Sequence, residues 1–184
     1  MLSDRDIADR MWGKAWTAEQ KIVIKPKPAV RSLQPASVDL TLDPVIQVDS
    51  FDGNIWRTLE WSPVDLLAYG SQGYPLMPGQ VILASTAETV HVPADLAARV
   101  EGKSTLGRLF IETHQTAGFV DPGFRGKITL EILNNSPVVQ YLTAAMPICQ
   151  ISFTRLSSPA LRPYGSEGLG SHYQDQSGAT PAAR

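Results

Sequence analysis

Three segments of this 184-residue chain gather side chains able to do chemistry. The first, Glu101-Gly-Lys-Ser-Thr-Leu-Gly-Arg108, offers cations and hydroxyls at Lys103, Ser104, Thr105 and Arg108. Gly102 lets the backbone approach a ligand. Such a set suits phosphate oxygens, the more so where a helix begins near Ser104. It is not a Walker A loop, whose spacer is longer, and taken alone it reads better as a solvated turn. The second segment runs from His114 to Glu131. Asp121 opens a Pro-Gly turn, and Glu131 falls ten residues later inside KITLEIL. There Ile128, Leu130 and Ile132 alternate with Thr129, Glu131 and Leu133, so Glu131 shares a face with Leu133. A carboxylate turned into a partly buried site is suited to acid–base work, because burial favours its neutral form. Periodicity alone favours a solvent-facing glutamate. The third segment is the tail after Arg162. Its glycines give mobility, while Tyr164, His172, Tyr173 and Gln176 supply stacking and hydrogen-bonding groups. It reads either as a plain disordered tail or as a lid that orders over a ligand.

The elements that must position these groups are mostly strands. Residues 3–16 predict the one clear helix, with Ser3 as N-cap, Asp4 and Asp6 in the first turn, and an apolar face of Ile7, Met11, Ala15, Ala8, Trp12 and Trp16. Both tryptophans are expected to be packing anchors. From Lys21 the pattern turns to short β-branched runs: KIVIKP, ASVDLTL, VIQVDS, NIWRTLEW, QVILAST, TVHVPA, ARVEG, KITLEILNN, VVQYLT and PICQISFTRL. Gly, Pro, Asn or Asp separate them at intervals of about ten residues, which predicts an all-β sandwich or barrel-like jelly roll. Residues 62–79 are expected to form an irregular excursion with two turns. The expected organisation is one β domain with its N-terminal helix over 1–162 and a flexible tail over 163–184.

Composition narrows the function. With 16 basic against 18 acidic residues the net charge is −2, without the basic excess of a protein that tracks a nucleic-acid backbone. No run approaches the roughly 18 to 20 apolar residues of a membrane span. The N-terminus lacks the basic-then-apolar order of a signal peptide, so a soluble cytoplasmic protein is expected. The single Cys149 excludes an intrachain disulfide framework and any multi-cysteine zinc site. His91 and His114 read as structural.

Taken together these segments resemble the dCTP deaminase family of the trimeric dUTPase superfamily. The resemblance is carried in order by LSDRDI (2–7), QPASVDL (34–40), EGKSTLGRL (101–109), HQTAGFVDPGF (114–124), KITLE (127–131) and RPYG…Y…Q…G (162–178). It implies a distorted jelly-roll subunit in a homotrimer, with sites between subunits closed by the tail. It also implies dCTP, and dUTP, as ligands, with Mg²⁺ bound mainly by the substrate phosphates and no zinc. Zinc deaminases activate water with a His/Cys-held metal; with one cysteine that route is closed, and a carboxylate must act instead.

By this resemblance Glu131 is the general base that also shuttles the proton. Ser104 and the Ala117 carbonyl position the water, Arg108 supports Glu131, and Asp121 binds the deoxyribose 3′-hydroxyl. Lys103, Thr105, Tyr164, His172, Tyr173 and Gln176 complete the substrate contacts. A glutamate ten positions after Asp121 favours deamination over dUTP hydrolysis alone. Ala117-Gly-Phe resembles the branch that forms dUMP, whereas the branch that stops at dUTP carries a His-Arg pair after that alanine. His172 stands where the family most often has Lys, and a histidine is only partly charged near neutrality. The alternatives are a deaminase releasing dUTP, a dUTP diphosphatase, and a nucleotide-sensing trimer without turnover.

Overall fold

The structure is a computed structural model that describes residues 1–50 and 58–183. In chain order, α1 (Asp4–Trp12) precedes β1 (Val23–Lys25), β2 (Leu33–Gln34), β3 (Ser37–Thr41), β4 (Val45–Asp49), β5 (Trp61–Asp65) and β6 (Tyr74–Leu76). Then come β7 (Val81–His91), β8 (Leu96–Gly102), α2 (Ser104–Gly107), β9 (Ile111–Glu112), β10 (Phe119–Val120), β11 (Arg125–Asn134), β12 (Gln140–Leu142) and β13 (Pro147–Arg155). The expected all-β class holds. One sheet has the order β5-β4-β7-β11-β9, with β1 also on β7; a second has the order β10-β8-β13-β3-β2; β12 and β6 form a small third pair. Every pairing is antiparallel.

Alternation writes this architecture. Along β11, Gly126, Ile128, Leu130, Ile132 and Asn134 turn inward while Lys127, Thr129, Glu131 and Leu133 lie half-buried on the other face. Leu130 and Ile132 meet Leu40, Ile46, Ile82, Ile151 and Phe153 in a core where each is at most 1% exposed. That burial is the main favourable term holding the sheets together. Cys149 on β13 is fully buried; burial pushes its thiol up, so it packs as a small apolar residue.

Three expectations change. QVILAST and TVHVPA are one eleven-residue strand, β7, because Glu88 between them is buried and satisfied: its carboxylate accepts from Thr41 N (2.9 Å) and Thr41 Oγ1 (2.8 Å). Residues 62–79 carry most of β5, a 3₁₀ segment (Leu66–Gln72) and β6 rather than irregular chain. The helix stops at Trp12, where Gly13 N donates to the Asp9 carbonyl (2.7 Å). Trp12 is 37% exposed beneath Lys27, so it is not a core anchor. The buried face belongs to Ile7, Met11 and Arg10 instead. Arg10, 1% exposed, donates to both Asp95 oxygens (2.8 and 2.7 Å) and to the Gln20 carbonyl, under the half-buried Trp16 ring. The early part of NIWRTLEW lies outside the described residues, and its last residue, Trp61, opens β5. Among the described residues no helix is long and apolar enough to cross a membrane.

Candidate active site

β11 and the loop entering it build a cavity of about 530 Å³. Its lining includes Ala117, Asp121, Glu131, Tyr164, Tyr173 and Gln176, so six of the predicted site residues come together from positions 117 to 176. The apolar wall is Trp61, Leu83, Phe119, Phe124 and Ile128. Glu131 reaches it because strand alternation points it away from the Leu130–Ile132 core, opposite Leu83 of β7. One Glu131 oxygen accepts from Gln115 N at 3.3 Å. The sequence reading missed that donor, since a backbone N–H has no residue signature.

Asp121 sits at the turn between β10 and β11. Phe124 N donates to the Asp121 carbonyl (3.1 Å), and Gly123 takes φ +89, the left-handed region glycine favours. A Cβ there would also fall 2.5 Å from Pro163, so the turn and the tail need glycine at this contact. Gly118, just before β10, is equally constrained: a Cβ would lie 2.8 Å from the Val100 carbonyl oxygen and 3.0 Å from the His114 ring.

The tail runs back over the same site within one chain. Tyr164 N donates to the Pro122 carbonyl (2.7 Å), and the Tyr164 ring sits 5.8 Å from that of Phe124. Tyr173 N donates to Tyr164 Oη (3.0 Å), and Ala183 N donates to Tyr173 Oη (3.1 Å). The Gln176 amide donates to the Lys127 carbonyl (2.6 Å) and accepts from Thr129 Oγ1 (3.3 Å). His172 is exposed beside Tyr173 and does not line the cavity.

The other predicted cluster is elsewhere. Lys103, Ser104, Thr105 and Arg108 follow β8, in the second sheet, and none lines the cavity. A helix does start at Ser104, but α2 is one turn long. Ser104, Thr105 and Arg108 are exposed, whereas Lys103 Nζ contacts Asp39 Oδ1 at 2.6 Å. Behind it Gln150 bridges the sheet, accepting from Ser37 Oγ (2.8 Å) and donating to the Gly102 carbonyl (3.4 Å). Asp39 lies within QPASVDL without an assigned role, and Gln150 carries no motif. Among the described residues no Lys, Arg or His lines the cavity, and no group of three or more His, Cys, Asp or Glu assembles as a metal site.

Comparison with known proteins gives a consistent result. A family model described as dCTP deaminase-like matches residues 1–156. A "dCTP deaminase, dUMP-forming" of Mycolicibacterium smegmatis is 41% identical over 186 residues, covering 99% of this chain and 95% of that one. One from Bifidobacterium animalis is 44% identical over 193 residues, covering 99% and 93%. Among solved structures, the 2′-deoxycytidine 5′-triphosphate deaminase of Agrobacterium tumefaciens superposes with a TM-score of 0.61 at 26% identity. The match covers 83% of this chain and 45% of that longer one. A native EIAV dUTPase, at 14% identity and a TM-score of 0.51, shares the fold over 80% of this chain and 99% of its own.

Proposed function

The chain belongs to the dCTP deaminase-like family, and from that premise we propose that it converts dCTP and two waters to dUMP, diphosphate and ammonia, as the names of its relatives indicate for them. The observation that carries the reading is Glu131 in one cavity with Asp121, beneath an apolar wall able to take a pyrimidine. Gly118 supports the dUMP-forming branch, because a side chain after Ala117 would strike the Val100 carbonyl oxygen.

Glu131 takes a proton from a water as its oxygen attacks cytosine C4. It then delivers protons to N3 and the departing amine, so ammonia leaves and the C4 carbonyl forms. The Gln115 N–H restrains the carboxylate on one oxygen. The Ala117 carbonyl and Ser104 hold the water, and Arg108 supports Glu131. Asp121 takes the 3′-hydroxyl and orients a second water toward the α-phosphorus, where diphosphate leaves. Tyr164, Tyr173 and Gln176 close the site. Lys103, Thr105, Arg108 and His172 meet the phosphates.

This division of labour requires more than one chain. A cavity with two carboxylates and no lining cation, among the described residues, repels a triphosphate. The missing cations stand on the β8–α2 connection, in the other sheet, where a second copy can bring them to the cavity. A homotrimer with sites between subunits supplies that arrangement. Magnesium fits as a companion of the substrate: it keeps waters and is commonly shared with phosphates. The phosphates would hold it, with Asp121 the protein carboxylate available, and when bound it neutralises charge on the diphosphate leaving group. A cytoplasmic setting, where nucleotides are made, follows from the same reading.

The test is incubation with dCTP and Mg²⁺ while ammonia, diphosphate, dUTP and dUMP are quantified. Ammonia and diphosphate in equal amounts without free dUTP are expected. Accumulating dUTP would make the enzyme a plain deaminase, conversion of added dUTP alone a diphosphatase, and binding without turnover a nucleotide sensor.

A further inference from the structure

β11 leaves one edge open. β9 covers it only at Leu133 and Asn134, so from Arg125 to Glu131 the edge away from β7 carries backbone groups that no sheet strand pairs among the described residues. Such an edge is normally covered, and here the cover is the chain's own tail. Asp175 N donates to the Arg125 carbonyl (2.7 Å) and Lys127 N donates to the Gln176 carbonyl (2.9 Å). The Gln174 side chain accepts from Arg125 N (3.0 Å) and donates to the Gly123 carbonyl (3.1 Å).

Outside this seam the Arg125 guanidinium grips both oxygens of Asp175, through Nε and through Nη2 at 2.7 Å. The bidentate geometry fixes direction as well as distance. It also holds Asp175 below the ordinary carboxylate range and Arg125 above its own. Gly126 lies under the neighbouring residue: a Cβ on it would meet Gln176 N at 3.1 Å and Gln176 O at 3.2 Å. Neither Arg125 nor Asp175 lines the cavity, yet Gln176, the next residue along the tail, does.

We propose that Arg125 and Asp175 form a latch that sets the register of the tail, acting as positioning residues that place Gln176 and Tyr173 over the cavity before any ligand arrives. The latch is weak by design of its surroundings: both side chains are more than half exposed, and exposed pairs contribute little and are screened by salt. It therefore biases the tail toward closure without trapping product.

The kinetic arm of the test rests on the proposed deaminase activity; the exchange arm does not. Asp175→Asn removes the charge while keeping a residue that tolerates the left-handed φ of 60 at this position. Arg125→Gln removes the other half. In substrate-free protein, amide exchange over residues 173–180 should rise about two- to fivefold in either variant, and no further in the double variant. The wild-type rate should rise likewise with added salt, and the variants' rates should not. KM for dCTP should rise by a similar factor while kcat at saturation is kept. Unchanged exchange in Asp175→Asn, or effects that multiply in the double variant, would overturn the latch. Altered exchange in a protein that does not turn over dCTP would leave the latch standing and remove the deaminase reading.

Discussion

Glu131 shows how far one residue can be read from its neighbours. The alternation Ile128-Leu130-Ile132 is visible in the sequence and dictates that Glu131 leaves the core. That the opposite face is a cavity wall depends on Tyr164, Tyr173 and Gln176 arriving from the tail, contacts that no local period encodes. Glu131→Gln keeps size and hydrogen bonding but cannot take a proton. It should cut ammonia release about 10²- to 10⁴-fold while dCTP binding by calorimetry and the thermal melt stay near wild type; retained release would move the base elsewhere. Arg10 is the opposite case, a charge outside the apolar face that the sequence marks and yet buried. Its hydrogen bonds to Asp95 hold that carboxyl below the ordinary range, against the upward push of burial. The stability so gained is present above the ordinary carboxylate range and is lost as pH falls through the lowered value. Asp95→Asn should therefore cost about 2–3 kcal/mol in urea unfolding near neutrality, and the difference from wild type should shrink in acid.

At the scale of elements, the strands were legible wherever burial alternates and hidden where a polar residue is buried on a distant partner. β7 reads as two strands because Ala87-Glu88-Thr89 looks like a break; Thr41, 47 positions away, makes it continuous. The end of β7 carries a half-buried histidine. His91 pairs with Val23 of β1 and Arg125 of β11, where burial pushes its imidazole below the ordinary range, aided by Arg125 and opposed by backbone hydrogen bonding at Glu19 and Phe124. The folded state then binds fewer protons than the unfolded one between the lowered value and the ordinary one. Stability rises with pH through that window and levels off above it. Wild-type Tm should fall on acidification from about pH 7 to about pH 5, and His91→Gln should fall less steeply. Parallel profiles would assign the slope to other groups.

For the whole molecule, the sequence motifs name two halves of a site and the fold separates them. EGKSTLGR ends a strand of one sheet, KITLE lies in the other, and no local pattern tells that these cations stay outside the cavity of their own chain. Symmetry resolves this if one subunit's Ser104 and Arg108 face the next subunit's Glu131, as in a closed ring of identical, head-to-tail contacts. Complementation tests it directly. Arg108→Ala and Glu131→Gln should each be inactive alone. Unfolded together in equal amounts and refolded as a mixture, they should regain about a quarter of wild-type ammonia release if sites are shared head-to-tail, the chance that both halves of a site are intact. Sites built within one chain would regain nothing, because every subunit would carry one lesion. Recovery thus distinguishes a shared site from a merely assembled one, which size measurements alone cannot do.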